Sequence, residues 1–294
     1  MRLDQALARM FPDHSRSRLV AWLRDGHIRI DDAPAKPKQK VWGGEVVDLL
    51  PRDEDIGEAA RAEDIALDVV HEDAAVIIIN KPAGLVVHPG SGNWSGTMLN
   101  ALLHHAPELA GIPRAGIVHR LDKDTSGLLV VARTLEAQTH LVRQLQNRSV
   151  HREYLALVYG RVAGDGAVDA PIGRDPANRV RMAVVGTGKE ARTRYRVVER
   201  FDQVTLVECR LETGRTHQIR VHMQSIGHAL VGDPVYRTGR PASRDEALTG
   251  FRRQALHAAR LEFIHPTSGL PARFEVPLPA DFTELLTALR GRAN

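Results

Sequence analysis

The stretch that most limits how this chain can fold is His119-Arg-Leu-Asp122-Lys-Asp124-Thr-Ser-Gly127, followed without a break by Leu128-Leu-Val-Val131. An apolar run directly after Ser-Gly reads as a buried strand, so the polar residues before it form a loop delivered to the core. That loop carries two carboxylates, Asp122 and Asp124, among His119, Arg120 and Lys123. A core strand fixes whatever its feeding loop presents, which makes such loops places for chemistry. Taken alone, a solvated turn is the commoner outcome for this composition. The rest of the chain has to decide.

With 294 residues the chain is long enough for a large domain plus a small one, or for two comparable ones. No apolar run approaches the roughly 18 residues of a membrane span, and Met1-Arg-Leu-Asp4 lacks a signal-peptide core. The expected location is cytoplasmic. Cys209 is the only cysteine, which excludes a disulfide framework and a cysteine metal site. The net charge is +4, yet residues 52–64 hold six acids and only two arginines, so the flanking segments are more basic than the total implies. Basic surfaces of that kind favour anionic partners, nucleic acid among them.

From Met1 to about Pro51 the pattern describes a compact unit. Leu3, Ala6, Leu7 and Met10 share a helical face, and Pro12-Asp13 ends the helix. A second helix starts near Ser15 or Ser17, buries Leu19, Val20 and Leu23, stops at Gly26 and shows Arg16, Arg18 and Arg24 on its other side. Short strands follow at 27–30 and 45–50, with a turn at Asp31-Asp32. Lys36, Lys38 and Lys40 alternate, which would line three cations along one side of an extended segment, and Pro34 and Pro37 confine it to an edge or loop. From charge alone an RNA-binding surface and a solvated face are equally good readings. The unit resembles an S4-like RNA-binding domain.

Residues 52–64 read as a flexible linker, and 65–294 as a second, larger domain. Strands are expected at 67–73, 76–80, 128–133, 153–159, 192–200, 203–212 and 256–264, with helices at 97–105, 135–148, 215–226 and 281–290. Strand pairs joined by short turns imply a mixed, largely antiparallel sheet in an α/β (α+β) domain, not a regular βαβ series. Residues 237–254 read as a polar surface loop.

Known cofactor motifs are missing. Gly90-x-Gly92 lacks the third glycine of a dinucleotide fingerprint, with Ser95 in its place, and Gly186-Thr-Gly-Lys189 is not a phosphate-binding loop. His217 and His222 lie five apart, off zinc spacing, and read as structural histidines. No Gly-x-Ser-x-Gly elbow surrounds Ser126. An enzyme built here works without nucleotide, metal or cysteine, which leaves a carboxylate such as Asp122 as the best nucleophile or base.

At this point the residues carry a resemblance. His119 to Gly127 is similar to the signature loop of the pseudouridine synthases that act on large-subunit ribosomal RNA and some tRNA. Arg152-Glu-Tyr154-Leu-Ala, Glu212-Thr-Gly-Arg-Thr-His217-Gln-Ile-Arg220, Gly232-Asp-Pro-Val-Tyr236 and Gln254-Ala-Leu-His257-Ala resemble further motifs of that family. The resemblance implies that Asp122 is the catalytic aspartate, attacking the target uridine or removing a proton from its ribose. It implies that Tyr154 stacks on the base, that Arg220 pairs with Asp122 as the adjacent opposite charge, and that Arg120 contacts RNA or fills the space of a flipped nucleotide. It also implies no cofactor and no metal, and a monomer acting on 23S rRNA, the helix 69 stem-loop in particular, or on a pre-50S particle. Arg16, Arg18, Arg24, Lys36, Lys38 and Lys40 would then bind RNA. Three rivals are another rRNA or tRNA site, a catalytically silent ribosome-assembly factor, and a hydrolase pairing Asp122 with Asp124.

Overall fold

The computed structural model describes residues 1–11, 16–49, 61–90, 93–178, 181–237 and 245–291, without the side chains of 16–18 and 21. The chain divides into two compact units, Met1–Ala59 and Ala60–Asn294.

In the smaller unit α1 (Leu3–Met10) and α2 (Arg16–Arg24) precede a three-stranded antiparallel sheet of β1 (Ile28–Ile30), β2 (Ala33–Pro34) and β3 (Val47–Leu49), in the order β2-β1-β3. Leu3 and Leu7 of α1 and Leu19, Trp22 and Leu23 of α2 close on Ile28 and Ile30. Met10, expected on the buried face, is 55% exposed, because it sits in the last turn of an eight-residue helix. Asp31 and Asp32 both take positive φ (51° and 60°), which a tight hairpin turn requires and which aspartate tolerates. Pro34 lies on an edge strand, where its missing N–H breaks no ladder. The expected extended arm of lysines is a correction. Lys36, Lys38 and Lys40 are exposed, but Gln39 N donates to Lys36 O and Asp4 N to Pro37 O, so the segment bends back onto the start of α1. Arg24 is exposed. The expected helix stop at Pro12-Asp13, the cap at Ser15 and the side chains of Ser17, Arg16 and Arg18 lie outside the described residues.

The larger unit is built on a nine-stranded sheet. Its strands are β4 (Val69–Glu72), β5 (Val76–Lys81), β6 (Ser126–Ala132), β7 (His151–Tyr159), β8 (Gly166–Asp169), β11 (Arg192–Arg200), β12 (Val204–Leu211), β13 (Leu256–Ile264) and β14 (Pro271–Glu275). They run in the order β4-β5-β6-β13-β7-β12-β11-β8, with β14 also on β13. The β6–β13 pairing is parallel and the others are antiparallel, so the sheet is mixed and largely antiparallel. A separate hairpin joins β9 (Ile172–Arg174) to β10 (Met182–Val184). β8, β9, β10 and β14, of three to five residues each, are too short to show a period in the sequence.

β6 explains why its segment reads as a continuous apolar run. All seven of its residues are buried. Leu129 and Val131 enter the core that includes α3 (Met98–His105), while Leu128, Val130 and Ala132 enter the core that includes α4 (Leu135–Gln146). Successive side chains of a strand point to opposite faces, and here both faces are covered. A third apolar cluster packs α7 (Ala280–Arg290) against Leu157, Val204 and Leu206. Two sequence expectations need correcting. Residues 61–64, read as the end of the linker, are tied to α3: Asn100 Nδ2 donates to Arg61 O at 2.7 Å and Glu63 N to Asn100 O at 3.0 Å. Within 237–254, read as a surface loop, α6 (Glu246–Gly250) buries Leu248 and the chain beyond it buries Gln254. Residues 50–60 and 238–244 lie outside the described residues. Among the described residues no helix is long and apolar enough to cross a membrane.

Candidate active site

The loop that feeds β6 is held by its backbone. Thr125 N closes a turn on Asp122 O at 3.0 Å, and Arg253 Nη1 donates to Asp124 O at 3.2 Å. From beneath, the fully buried Lys81 donates to Lys123 O, Leu85 O and Pro82 O at 2.7–2.9 Å. Burial pulls the Lys81 ammonium down to about 7, while Asp124 and Asp122 oppose the shift. At the far end Gly127 has φ +110°, and a Cβ there would lie 2.2 Å from Ala258 O. Only glycine lets the loop enter the sheet so close to β13.

This loop presents Asp122 to α5 (Gln218–Ser225). The helix start is set by Gln218, whose Oε1 accepts from Thr213 Oγ1 and Arg215 N and whose Nε2 donates to Arg192 O. Arg220 follows in the first turn with its side chain 5% exposed. Its Nη1 donates to Asp122 Oδ2 at 2.9 Å, while Nε and Nη2 grip the two oxygens of Asp233 at 2.7 and 2.9 Å. Asp233 is itself capped by Val235 N and Tyr236 N, both at 2.9 Å. Burial works against the Arg220 charge, but Asp233 and Asp122 outweigh it and leave the guanidinium pKa above its ordinary value. Two of its three nitrogens are engaged by Asp233, so the third can aim Asp122 with little freedom. Asp122 Oδ1 lies 3.8 Å from His217 Nε2, and His217 Nδ1 is 2.8 Å from the Tyr236 hydroxyl. Burial lowers the His217 pKa more than Asp122 raises it. Tyr236 completes the support, with the Arg220 guanidinium 5.0 Å from its ring centroid.

Asp122 opens onto a cleft of about 970 Å³. Tyr154 lines it from β7, buried between Cys209 of β12 and Ala258 of β13. Burial pushes its phenol up, against the pull of Arg152. Arg120 stands exposed in the cleft wall and makes no hydrogen bond or ion pair among the described residues. Six arginines line the cleft (114, 120, 148, 152, 215 and 220), against two carboxylates, Asp122 and Glu212. Glu212 is already engaged by Arg194 at 2.5 Å. The cleft is therefore a cationic trough around one available carboxylate, a setting for a polyanionic ligand.

The family model described as RNA pseudouridylate synthase matches residues 75–225, and that of the S4 domain matches residues 1–47. The chain belongs to the RNA pseudouridylate synthase family. It is 59% identical to ribosomal large subunit pseudouridine synthase D of Nitrosomonas europaea, over 99% of this chain and 85% of that protein. The enzyme of the same name from Escherichia coli is 54% identical, over 98% and 90%. Among solved structures, human RNA pseudouridylate synthase domain containing 4 superposes with a TM-score of 0.61 at 27% identity, over 76% of this chain and 92% of that one.

For a pseudouridylate synthase the sequence-derived residues Asp122, Tyr154, Arg220 and Arg120 meet in one cleft. Asp124 does not line the cleft with Asp122, so the two do not form a carboxylate pair there. His222 is buried, with its ring nitrogens on Thr193 Oγ1 and Ala170 O, in keeping with a structural histidine. Sequence reasoning missed Asp233, His217, Tyr236 and Lys81 as supports of the site. The first three lie in quoted motifs, but only the fold shows that they converge on Arg220 and Asp122.

Proposed function

We propose that this chain converts specific uridines of 23S rRNA to pseudouridine, with Asp122 as the catalytic carboxylate. The observation that supports this most is Asp122 itself, an aimed carboxylate held by a buried arginine inside a cleft that six arginines line. A paired uridine cannot present its glycosidic bond to a side chain, so the target base leaves the stack and enters the cleft. There Tyr154 stacks on it, with burial keeping its phenol protonated. Asp122 acts on the ribose, as a nucleophile that bonds to C1′ or as a base that takes a ribose proton, and the C1′–N1 bond breaks. The uracil turns and C5 bonds to C1′ as Asp122 leaves that carbon or returns the ribose proton, the C5 proton leaves and N1 gains one. Substrate and product are isomers, so no redox partner enters.

Arg120, exposed in the cleft wall, contacts the RNA or fills the space of the flipped nucleotide. In the S4 domain Arg24, Lys36, Lys38 and Lys40 are exposed cations, and with Arg16 and Arg18 they supply phosphate contacts. The relatives named as ribosomal large subunit pseudouridine synthase D point to 23S rRNA, and we take the helix 69 stem-loop, free or in a pre-50S particle, as the substrate. Asp122, Tyr154, Arg220 and Asp233 all come from one chain, which supports action as a monomer.

Pseudouridine mapping of rRNA and tRNA from cells lacking the protein tests this reading. Loss at one 23S stem-loop, restored by wild type and not by Asp122→Ala, is the expected result. Restoration by Asp122→Ala would exclude the assigned chemistry, and loss confined to tRNA would exclude the ribosomal substrate.

A further inference from the structure

Among the described residues two buried donors in the cleft have no acceptor. Arg152 is 8% exposed, its Nε is buried without an acceptor, and the side chain makes no hydrogen bond or ion pair among the described residues. It sits on the same face of β7 as Tyr154, whereas Glu153 between them points the other way and pairs with Arg260 at 3.2 Å. The second donor is His119. Its Nε2 accepts from Val130 N at 3.2 Å, so the proton of the neutral ring is on Nδ1, and Nδ1 is buried without a partner. Burial, with the nearby Arg152 charge adding to it, holds this imidazole neutral down to about 3. Both residues line the cleft that holds Asp122.

Leaving a buried charge uncompensated is costly, and an anion that enters the cleft would remove that cost. Space for the guanidinium has been left. A Cβ on Gly214 would lie 2.8 Å from Arg152 Nη1, so the missing side chain at 214 is what admits the guanidinium. Side chains two residues apart on a strand face are separated by about 6.5 Å, close to the distance between a nucleotide's base and its own phosphate. A neutral uracil carbonyl would satisfy the His119 N–H but leave the Arg152 charge uncompensated. We propose that Arg152, with His119 Nδ1–H, is the receptor for an RNA phosphate flanking the flipped uridine, placing that nucleotide over Tyr154 and Asp122. Arg152 is then a positioning residue. The inference rests on the function proposed above and adds the contact that fixes the target nucleotide in register.

The test couples the side chain to single phosphates. A synthetic stem-loop that covers the mapped uridine is made with one neutral methylphosphonate at each linkage around it, and kcat/KM is measured for wild type, Arg152→Gln, Arg152→Lys and Gly214→Ala. With wild type, one flanking linkage should lose about 10- to 100-fold when neutralised, the range of a charge-assisted hydrogen bond. Arg152→Gln should lose a similar factor on natural RNA and nothing further from that methylphosphonate, with Arg152→Lys in between. Gly214→Ala should behave like Arg152→Gln, because its methyl group displaces the guanidinium while leaving the arginine in the chain. This variant carries the test if Arg152→Gln fails to fold. Losses that multiply at every linkage would overturn the proposal and leave the synthase reading standing. A wild-type protein that modifies no rRNA would sink both.

Discussion

Asp122 and Arg220, ninety-eight residues apart in the chain, meet at 2.9 Å, while Asp233 holds the other two nitrogens of Arg220. The carboxylate is thereby aimed by a charge that cannot swing away. Each partner can be removed separately, with different consequences.

Asp122→Asn keeps an oxygen for Arg220 and should leave the fold intact, with a melting temperature within a few degrees of wild type. Pseudouridine formation should fall by at least about 10³-fold, since an amide can serve neither as nucleophile nor as base. A single-turnover assay beside a thermal melt checks both halves.

Asp233→Ala removes the anchor and leaves Arg220, Val235 N and Tyr236 N without their acceptor. Breaking one side of a buried pair costs roughly 3–5 kcal/mol. Denaturant unfolding should show that loss, and activity should fall although no atom of Asp233 hydrogen-bonds to Asp122.

Gly127→Ala forces a side chain at φ +110° against Ala258 O. The backbone must shift where β6 joins β13, at a cost of roughly 2–4 kcal/mol. Reduced stability together with lost activity is expected, since the same shift moves Asp122.

Stability should fall in mild acid. Burial holds His88 at about 4, His119 at about 3 and His257 at about 4, all below their ordinary 6.5. Between those values and 6.5 the unfolded chain binds protons that the folded chain refuses, so stability rises with pH in this window and is lost as pH falls through it. The slope at pH 5 to 6 should approach about 1.4 kcal/mol per pH unit for each histidine. Urea unfolding across pH 4.5–7.5 measures it, and a flat profile would contradict the burial of these rings.

Replacing Lys36, Lys38 and Lys40 together by alanine should weaken rRNA binding and lower the salt dependence of log K by up to about 3, one phosphate contact per lysine. Titrations at several salt concentrations report this directly. An unchanged slope would mean that these exposed cations face solvent in the complex.

The chain itself determined a good deal. The apolar run after Ser126-Gly127 announced a central strand, and the patterns at 97–105, 135–148 and 281–290 announced the helices found at 98–105, 135–146 and 280–290, because burial on fixed faces imposes a period that side-chain chemistry must obey. The motif residues Asp122, Tyr154 and Arg220 could be named one by one. Short strands such as β8 and β14 could not, since four or five residues show no period. Nor could the lysine arm, which bends through backbone hydrogen bonds that composition does not encode. The site's supports were equally hidden. Asp233 gripping Arg220, Lys81 under the loop, and Arg152 beside Gly214 without an anion are relations between residues far apart in the chain. Only packing brings such side chains within a few ångströms, where burial and charge give each its chemical character.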